Sequence, residues 1–251
     1  MMLQRIIQPV LDLLYPPRCL FCQGVPQGNP ANALQPLNLG FEGMERVLCE
    51  DCARKIPWAV SACPFCAYPG YPTNQEAGPC AWCWDEHLAF EFCCALGSYS
   101  KRLRQSLYRF KYRGEKALAG PFGDLLSARL AGMPWIGQVD LLVPVPLCRQ
   151  RLKERGYNQS YLLADRVSKK FALPLEQRLS RVKETQSQTS LNKKQRKANL
   201  AGAFICPDAL PAGCHVLLVD DVLTTGATAH QAACTLKDAG AGRVSVVVLA
   251  R

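Results

Sequence analysis

Residues Leu217–Thr228 read Leu-Leu-Val-Asp-Asp-Val-Leu-Thr-Thr-Gly-Ala-Thr, and this stretch decides the fold. Val216–Val219 is a short run without a polar residue, the pattern of a strand buried on both faces of a parallel sheet. Two acids follow at once, so Asp220 and Asp221 fall at the carboxyl end of that strand. Thr224-Thr225-Gly226-Ala227-Thr228 is a small-residue turn that opens a helical stretch running to about Ala239. Backbone N–H groups of such a turn and of the helix start can cradle a phosphate, with threonine hydroxyls as further donors. Paired carboxylates beside it can accept hydrogen bonds from a vicinal diol such as that of ribose. Phosphate donors and diol acceptors at this separation point to a sugar phosphate.

Working outward, the rest of the chain alternates strand and helix. Val139–Val143 is a second buried strand, ended by Pro144-Val145-Pro146. A basic segment, Arg149–Arg155, comes next, and Gly156-Tyr157-Asn158-Gln159-Ser160 opens another helix with Asn158 or Ser160 as its N-cap. Leu175–Val182 and Gly202–Cys206 read as strands, and Arg243–Ala250 as the last one. Strands alternating with helices imply an α/β fold, a parallel sheet flanked by helices with its ligand site at the carboxyl edge.

The 251 residues carry a net charge of +10, very unevenly spread. Residues 101–200 hold 22 Lys and Arg against 7 Asp and Glu, whereas the flanking segments are slightly acidic. Such concentration suits a polyanion, either nucleic acid or pyrophosphate. Within Lys101–Lys116, Leu103, Leu107 and Phe110 mark one helical face and the basic residues spread over the remainder. Arg102, Arg104, Arg109, Lys111 and Tyr112 are candidates for contact with single-stranded DNA, with Tyr108 and Tyr112 available for stacking. A solvated amphipathic helix accounts for the same pattern. Thr185–Asn199 is polar with almost no apolar anchor and is expected to be a mobile loop or partly formed helix carrying Lys193, Lys194, Arg196 and Lys197.

The first third of the chain is different in kind. Cys19 and Cys22, Cys49 and Cys52, Cys63 and Cys66, and Cys80 and Cys83 form four Cys-x-x-Cys pairs. Each pair presents two thiolates to one ion and two pairs complete a tetrahedral site, so two structural zinc ions are expected. Sequential pairing makes two zinc ribbons; the spacing also allows an interleaved cross-brace. A thioredoxin-like redox motif accounts for one such pair but not for four outside a βαβ context. His87 is not expected to be a ligand, since eight cysteines suffice. Cys93 and Cys94 read as core, and Cys148, Cys206, Cys214 and Cys234 as inert thiols. The composition changes near Ala89–Leu96, which divides the chain into residues 1–92 and 93–251. Met1–Tyr15 has apolar residues at helical spacing and no small-residue cleavage site, and no apolar run reaches the roughly 18 residues of a membrane span. A docked N-terminal helix and a cytoplasmic location are therefore expected.

The Asp220–Thr228 pattern resembles the phosphoribosyl-pyrophosphate (PRPP) motif of type I phosphoribosyltransferases at every position. Val143–Ala164, with Val-Pro-Val-Pro-Leu, Arg151, Arg155-Gly156-Tyr157-Asn158-Gln159 and Leu162-Leu163-Ala164, resembles the signature of the ComF family of competence proteins. Thr185, Gln188, Leu191, Arg196, Asn199 and Gly202-Ala203-Phe204 are similar to that family's pattern too. The resemblance implies a double zinc ribbon followed by a type I phosphoribosyltransferase-like domain, and a role in DNA uptake or in the use of DNA as a nutrient. It implies that Asp220 and Asp221 hold the ribose hydroxyls and act in catalysis, and that Thr224, Thr225, Gly226, Ala227 and Thr228 hold the 5′-phosphate. The loop Val145, Pro146, Leu147, with Arg151 and Arg155, would take pyrophosphate, Mg²⁺ would accompany PRPP, and the 185–199 loop would close over the site. Protein partners would be those of DNA uptake or recombination. No base-recognising hood is identifiable, so a PRPP or nucleotide site is better supported than transfer to a nucleobase or other acceptor.

Overall fold

The computed structural model describes residues 16–34, 44–71, 78–86, 88–183 and 202–251. The Met1–Tyr15 stretch, His87 and the Thr185–Asn199 segment with Lys193, Lys194, Arg196 and Lys197 lie outside the described residues. In chain order the elements are α1 (Ala31–Leu34), α2 (Glu50–Lys55), α3 (Ala81–Glu86), β1 (Phe92–Gly97), α4 (Lys101–Tyr112) and α5 (Ala119–Ala131). They continue with β2 (Leu141–Pro144), α6 (Arg149–Arg155), α7 (Gln159–Phe171), β3 (Ser180–Arg181), β4 (Phe204–Ile205), β5 (His215–Val219), α8 (Ala227–Asp238) and β6 (Arg243–Ala250).

β1, β6, β5 and β2 lie side by side in that order, every pair parallel. All five residues of β5 and seven of the eight of β6 are buried. Alternation along the strands explains why: Leu217 and Val219 face α4, α5 and α7, whereas Val216 and Leu218 face α8. Helices therefore cover both faces. α5 and α7 touch so closely at Gly123 that a Cβ there would stand 2.4 Å from the Arg166 Cβ. The register sets Pro144 beside Val219, so β2 and β5 end together and their following loops meet at one edge.

Leu175–Val182 is not the continuous strand its composition suggests. Leu175 makes a single bridge to Leu142, and only Ser180–Arg181 pairs, antiparallel with β4. Pro174 offers no N–H to extend the ladder. The cysteine-rich segment is packed into the same core rather than hung beside it. Leu20, Phe21, Leu48 and Ile56 share one apolar cluster with Leu103, Phe110 and Phe122, and the Ser106 hydroxyl donates to the Leu20 carbonyl at 2.8 Å.

Candidate functional site

Asp220 keeps the strand pairing one residue beyond β5, its N–H donating to the Val247 carbonyl. Its Oδ1 accepts the Ser160 hydroxyl of α7 at 3.0 Å and the Asp221 N–H at 2.8 Å. Burial, reinforced by the negative charge of Asp221, raises the Asp220 carboxyl to about 7, against the pull of the Asp221 N–H, Lys111 and Ser160. The Asp221 Oδ1 meets the Lys111 Nζ at 2.7 Å, so the last turn of α4 supplies a cation to this floor. The loop then returns along β6, with the Leu223 N–H on the Ala250 carbonyl, and turns at Gly226 (φ +73°), where a left-handed backbone favours glycine. α8 starts at once, and Gly226, Thr228 and Ala229 at its start line the same cleft as the acids, where free N–H groups can receive an anion.

These groups line a cleft of about 270 Å³ together with Val145, Pro146 and Leu147, which follow β2. Thr224, Gly226 and Thr228 reach the cleft; Ala227 is buried, and the Thr225 hydroxyl lies 3.5 Å from the Ala227 N–H. Arg151 and Arg155 line the cleft too. Arg155 donates to Gln159 at 2.9 Å and to the Tyr112 hydroxyl at 3.2 Å, and lies 4.8 Å over the Tyr112 ring. Asn158 caps α7 by accepting from the Ser160 N–H, while its amide donates to the Val145 carbonyl, which ties the β2 loop in place.

Arg181, from β3, is a third arginine of this cleft and was missed in the sequence. Burial and the neighbouring Arg151 lower its pKa, against the pull of Cys148 and Asp220, and it remains a cation. Its only sequence signal is a basic residue in a short extended run, which most surface arginines share. Lys111 belongs to the floor rather than to an outer basic face, for the same reason: the Asp221 partner lies 110 residues away in the chain. The cleft thus brings together two carboxylates, the hydroxyls and N–H groups of the Thr224–Thr228 turn, and three guanidinium groups.

The eight cysteines assemble sequentially. Cys19, Cys22, Cys49 and Cys52 form one tetrad and Cys63, Cys66, Cys80 and Cys83 the other, the sulfurs of each lying within 4.8 Å of one another. The cross-braced alternative is not what forms. Burial first, then the neighbouring sulfurs, push Cys83 up to about 12 and raise Cys52 and Cys66, whereas Cys19 and Cys80 are lowered, against burial, by hydrogen bonds from backbone N–H groups and neighbouring thiols. A divalent cation inverts that balance, and an all-thiolate tetrad fits zinc. Arg102 donates to the Cys52 sulfur at 2.7 Å. None of the fourteen cysteines is joined to another by a disulfide.

The basic face of α4 is narrower than its composition suggests. Arg102 is held by Cys52 and Asp51, Arg109 by Glu115 and the Leu20 carbonyl, and Lys111 by Asp221. These ties join α4 to the cysteine-rich segment and the cleft. Arg104 is exposed, and the Tyr108 and Tyr112 rings, 52% and 58% exposed, lie 5.2 Å apart. They line a wide groove that shares Tyr99, Lys111 and Tyr112 with the cleft.

Among the described residues no helix is long and apolar enough to cross a membrane. Residues 158–251 match the model of the phosphoribosyl transferase domain. The chain is 32% identical over 224 residues to the DNA utilization protein YhgH of Salmonella typhi, covering 86% of this chain and 93% of that one. It is 29% identical over 241 residues to competence protein F of Haemophilus influenzae, covering 93% and 96%. Competence protein ComFC of Bacillus subtilis is 28% identical over 212 residues, 81% and 84% of the two chains. Likeness along nearly the full length makes this chain a member of the ComF family of competence and DNA-utilization proteins.

Proposed function

We propose that the chain binds PRPP, or a closely related sugar phosphate, in the cleft at the ends of β2 and β5, and serves in the uptake or use of DNA. The observation that carries the first part is the convergence on one cleft of Asp220 and Asp221, the Thr224–Thr228 turn at the start of α8, and Arg151, Arg155 and Arg181. In this reading the acids receive the ribose hydroxyls, the turn receives the 5′-phosphate, and the arginines receive the pyrophosphate. The carboxylates offer hard oxygen donors of the kind Mg²⁺ prefers; when bound there, Mg²⁺ would neutralise the pyrophosphate. Lys111 gives up or shares Asp221 when the diol binds. The role in DNA use is carried over from relatives named as competence and DNA-utilization proteins. Single-stranded DNA fits the groove along α4, whose exposed Tyr108 and Tyr112 offer stacking faces beside Arg104.

Residues 1–92 serve in this reading as a zinc-ribbon unit and residues 93–251 as the ligand-binding unit, in the cytoplasm, where thiols stay reduced. Calorimetric titration with PRPP and Mg²⁺ tests the binding reading. Incubation with PRPP, Mg²⁺ and nucleobases or other acceptors, followed for pyrophosphate release, separates a binding protein from a transferase. Release that depends on an acceptor would make the chain an enzyme; saturable binding without release makes PRPP a ligand alone.

A further inference from the structure

Arg251 occupies a position between the second cysteine tetrad and the Thr224–Gly226 turn. Its Nε donates to the Cys66 carbonyl at 3.0 Å, while Nη1 donates to the carbonyls of Leu223 (3.4 Å) and Thr224. The guanidinium lies 4.3 Å from the centre of the Trp82 ring and 5.5 Å from that of Tyr68. Its backbone is tied to the end of β1, the N–H to Gly97 and the carbonyl to Tyr99. Trp82 stands between Cys80 and Cys83, and Cys66 is itself a tetrad member. The indole also meets the turn directly: a Cβ on Gly226 would lie 3.3 Å from the Trp82 Cη2. One side of the turn is therefore shaped by residues that the second tetrad holds in place.

The geometry points to Arg251 as a positioning residue that couples the second tetrad to the phosphate turn, so that closing the tetrad on its metal fixes the N–H groups that receive the 5′-phosphate. The inference rests on the sugar-phosphate reading of the cleft and deepens it. It has a physical basis in the guanidinium fork: Arg251 accepts two restraints on one side, from Cys66 and the Trp82 face, and transmits them through two carbonyls of the turn. Lysine keeps the charge but cannot form the fork. The first tetrad contacts α4 through Arg102 instead, and is expected to leave the turn unaffected.

The test uses the full chain with its metal. Arg251→Gln and, as a milder variant, Arg251→Lys are compared with the parent for metal content, for amide hydrogen exchange at residues 223–228 and 145–147, and for affinity toward PRPP and inorganic pyrophosphate. Exchange at 223–228 should accelerate while that at 145–147 stays unchanged. PRPP affinity should fall about tenfold, the size expected for losing one charge-assisted hydrogen bond, with pyrophosphate affinity kept. Cys80→Ser should reproduce this pattern and Cys22→Ser should not. Parent-like exchange at 223–228 in both Arg251 variants, or equal acceleration in the two loops, overturns the coupling. If the parent binds no PRPP, the sugar-phosphate reading fails, while the exchange experiment still decides the coupling.

Discussion

Asp220 and Asp221 are adjacent in the chain and differ in surroundings. Asp220 accepts from Ser160 and from the Asp221 N–H, whereas Asp221 faces the Lys111 ammonium at 2.7 Å. The raised Asp220 pKa favours its protonated form in the folded protein. The associated stability is full below the ordinary value of 3.8 and is lost as pH rises through about 7. Asp220→Asn keeps an oxygen for both hydrogen bonds and cannot ionise. It should therefore match the parent in thermal melting near pH 4 and exceed it at pH 8 by roughly 1–3 kcal/mol. An equal difference at both pH values would contradict the assignment. The two acids and the turn were legible in the sequence because they are contiguous. Arg181 and Lys111 were not, because each acquires its place only when β3 or α4 docks against β5.

At the level of elements, the parallel sheet was readable from apolar runs between helical stretches, and β2, β5 and β6 lie close to where those runs fall. The 175–182 run misled because β-type composition does not supply a partner strand; apart from the single bridge at Leu175, only Ser180 and Arg181 find one. α4 misled differently, since composition counts cations and not their partners. Arg109, bonded to Glu115 and to the Leu20 carbonyl, belongs to the structure. Arg109→Ala should lower the melting temperature and leave the salt dependence of single-stranded DNA binding unchanged. Arg104→Ala should leave melting unchanged and reduce the slope of log affinity against log salt by about 0.7, one phosphate contact. Titrations at several salt concentrations would refute the groove if the slope is the same in the parent and in Arg104→Ala. At the start of α8, Gly226→Ala forces a left-handed backbone on alanine and presses a methyl toward Trp82. It should cost about 1 kcal/mol or more in chemical denaturation and weaken PRPP binding.

Across the whole molecule, four Cys-x-x-Cys pairs announced two cysteine tetrads able to hold a metal, but a change of composition near residue 92 hid how the two parts cohere. Leu20, Phe21, Leu48 and Ile56 bury against α4 and α5, so the cysteine-rich segment contributes to the core on which the cleft is built. Elemental analysis should find two zinc ions per chain. Chelation should lower the melting temperature of the entire protein in one transition, because removing the metal from a shared core leaves no independent remainder. A chelated sample whose residues 93–251 melt unchanged would show the parts to be separable. The central claim, that the strand-end acids and the turn of α8 form a PRPP site, is tested most directly by calorimetry on the parent and on the double variant Asp220→Ala with Asp221→Ala. With Mg²⁺ present, the parent should bind PRPP saturably at one site per chain and the folded double variant should lose that binding by at least about a hundredfold. PRPP binding of equal affinity in the two proteins would contradict the account.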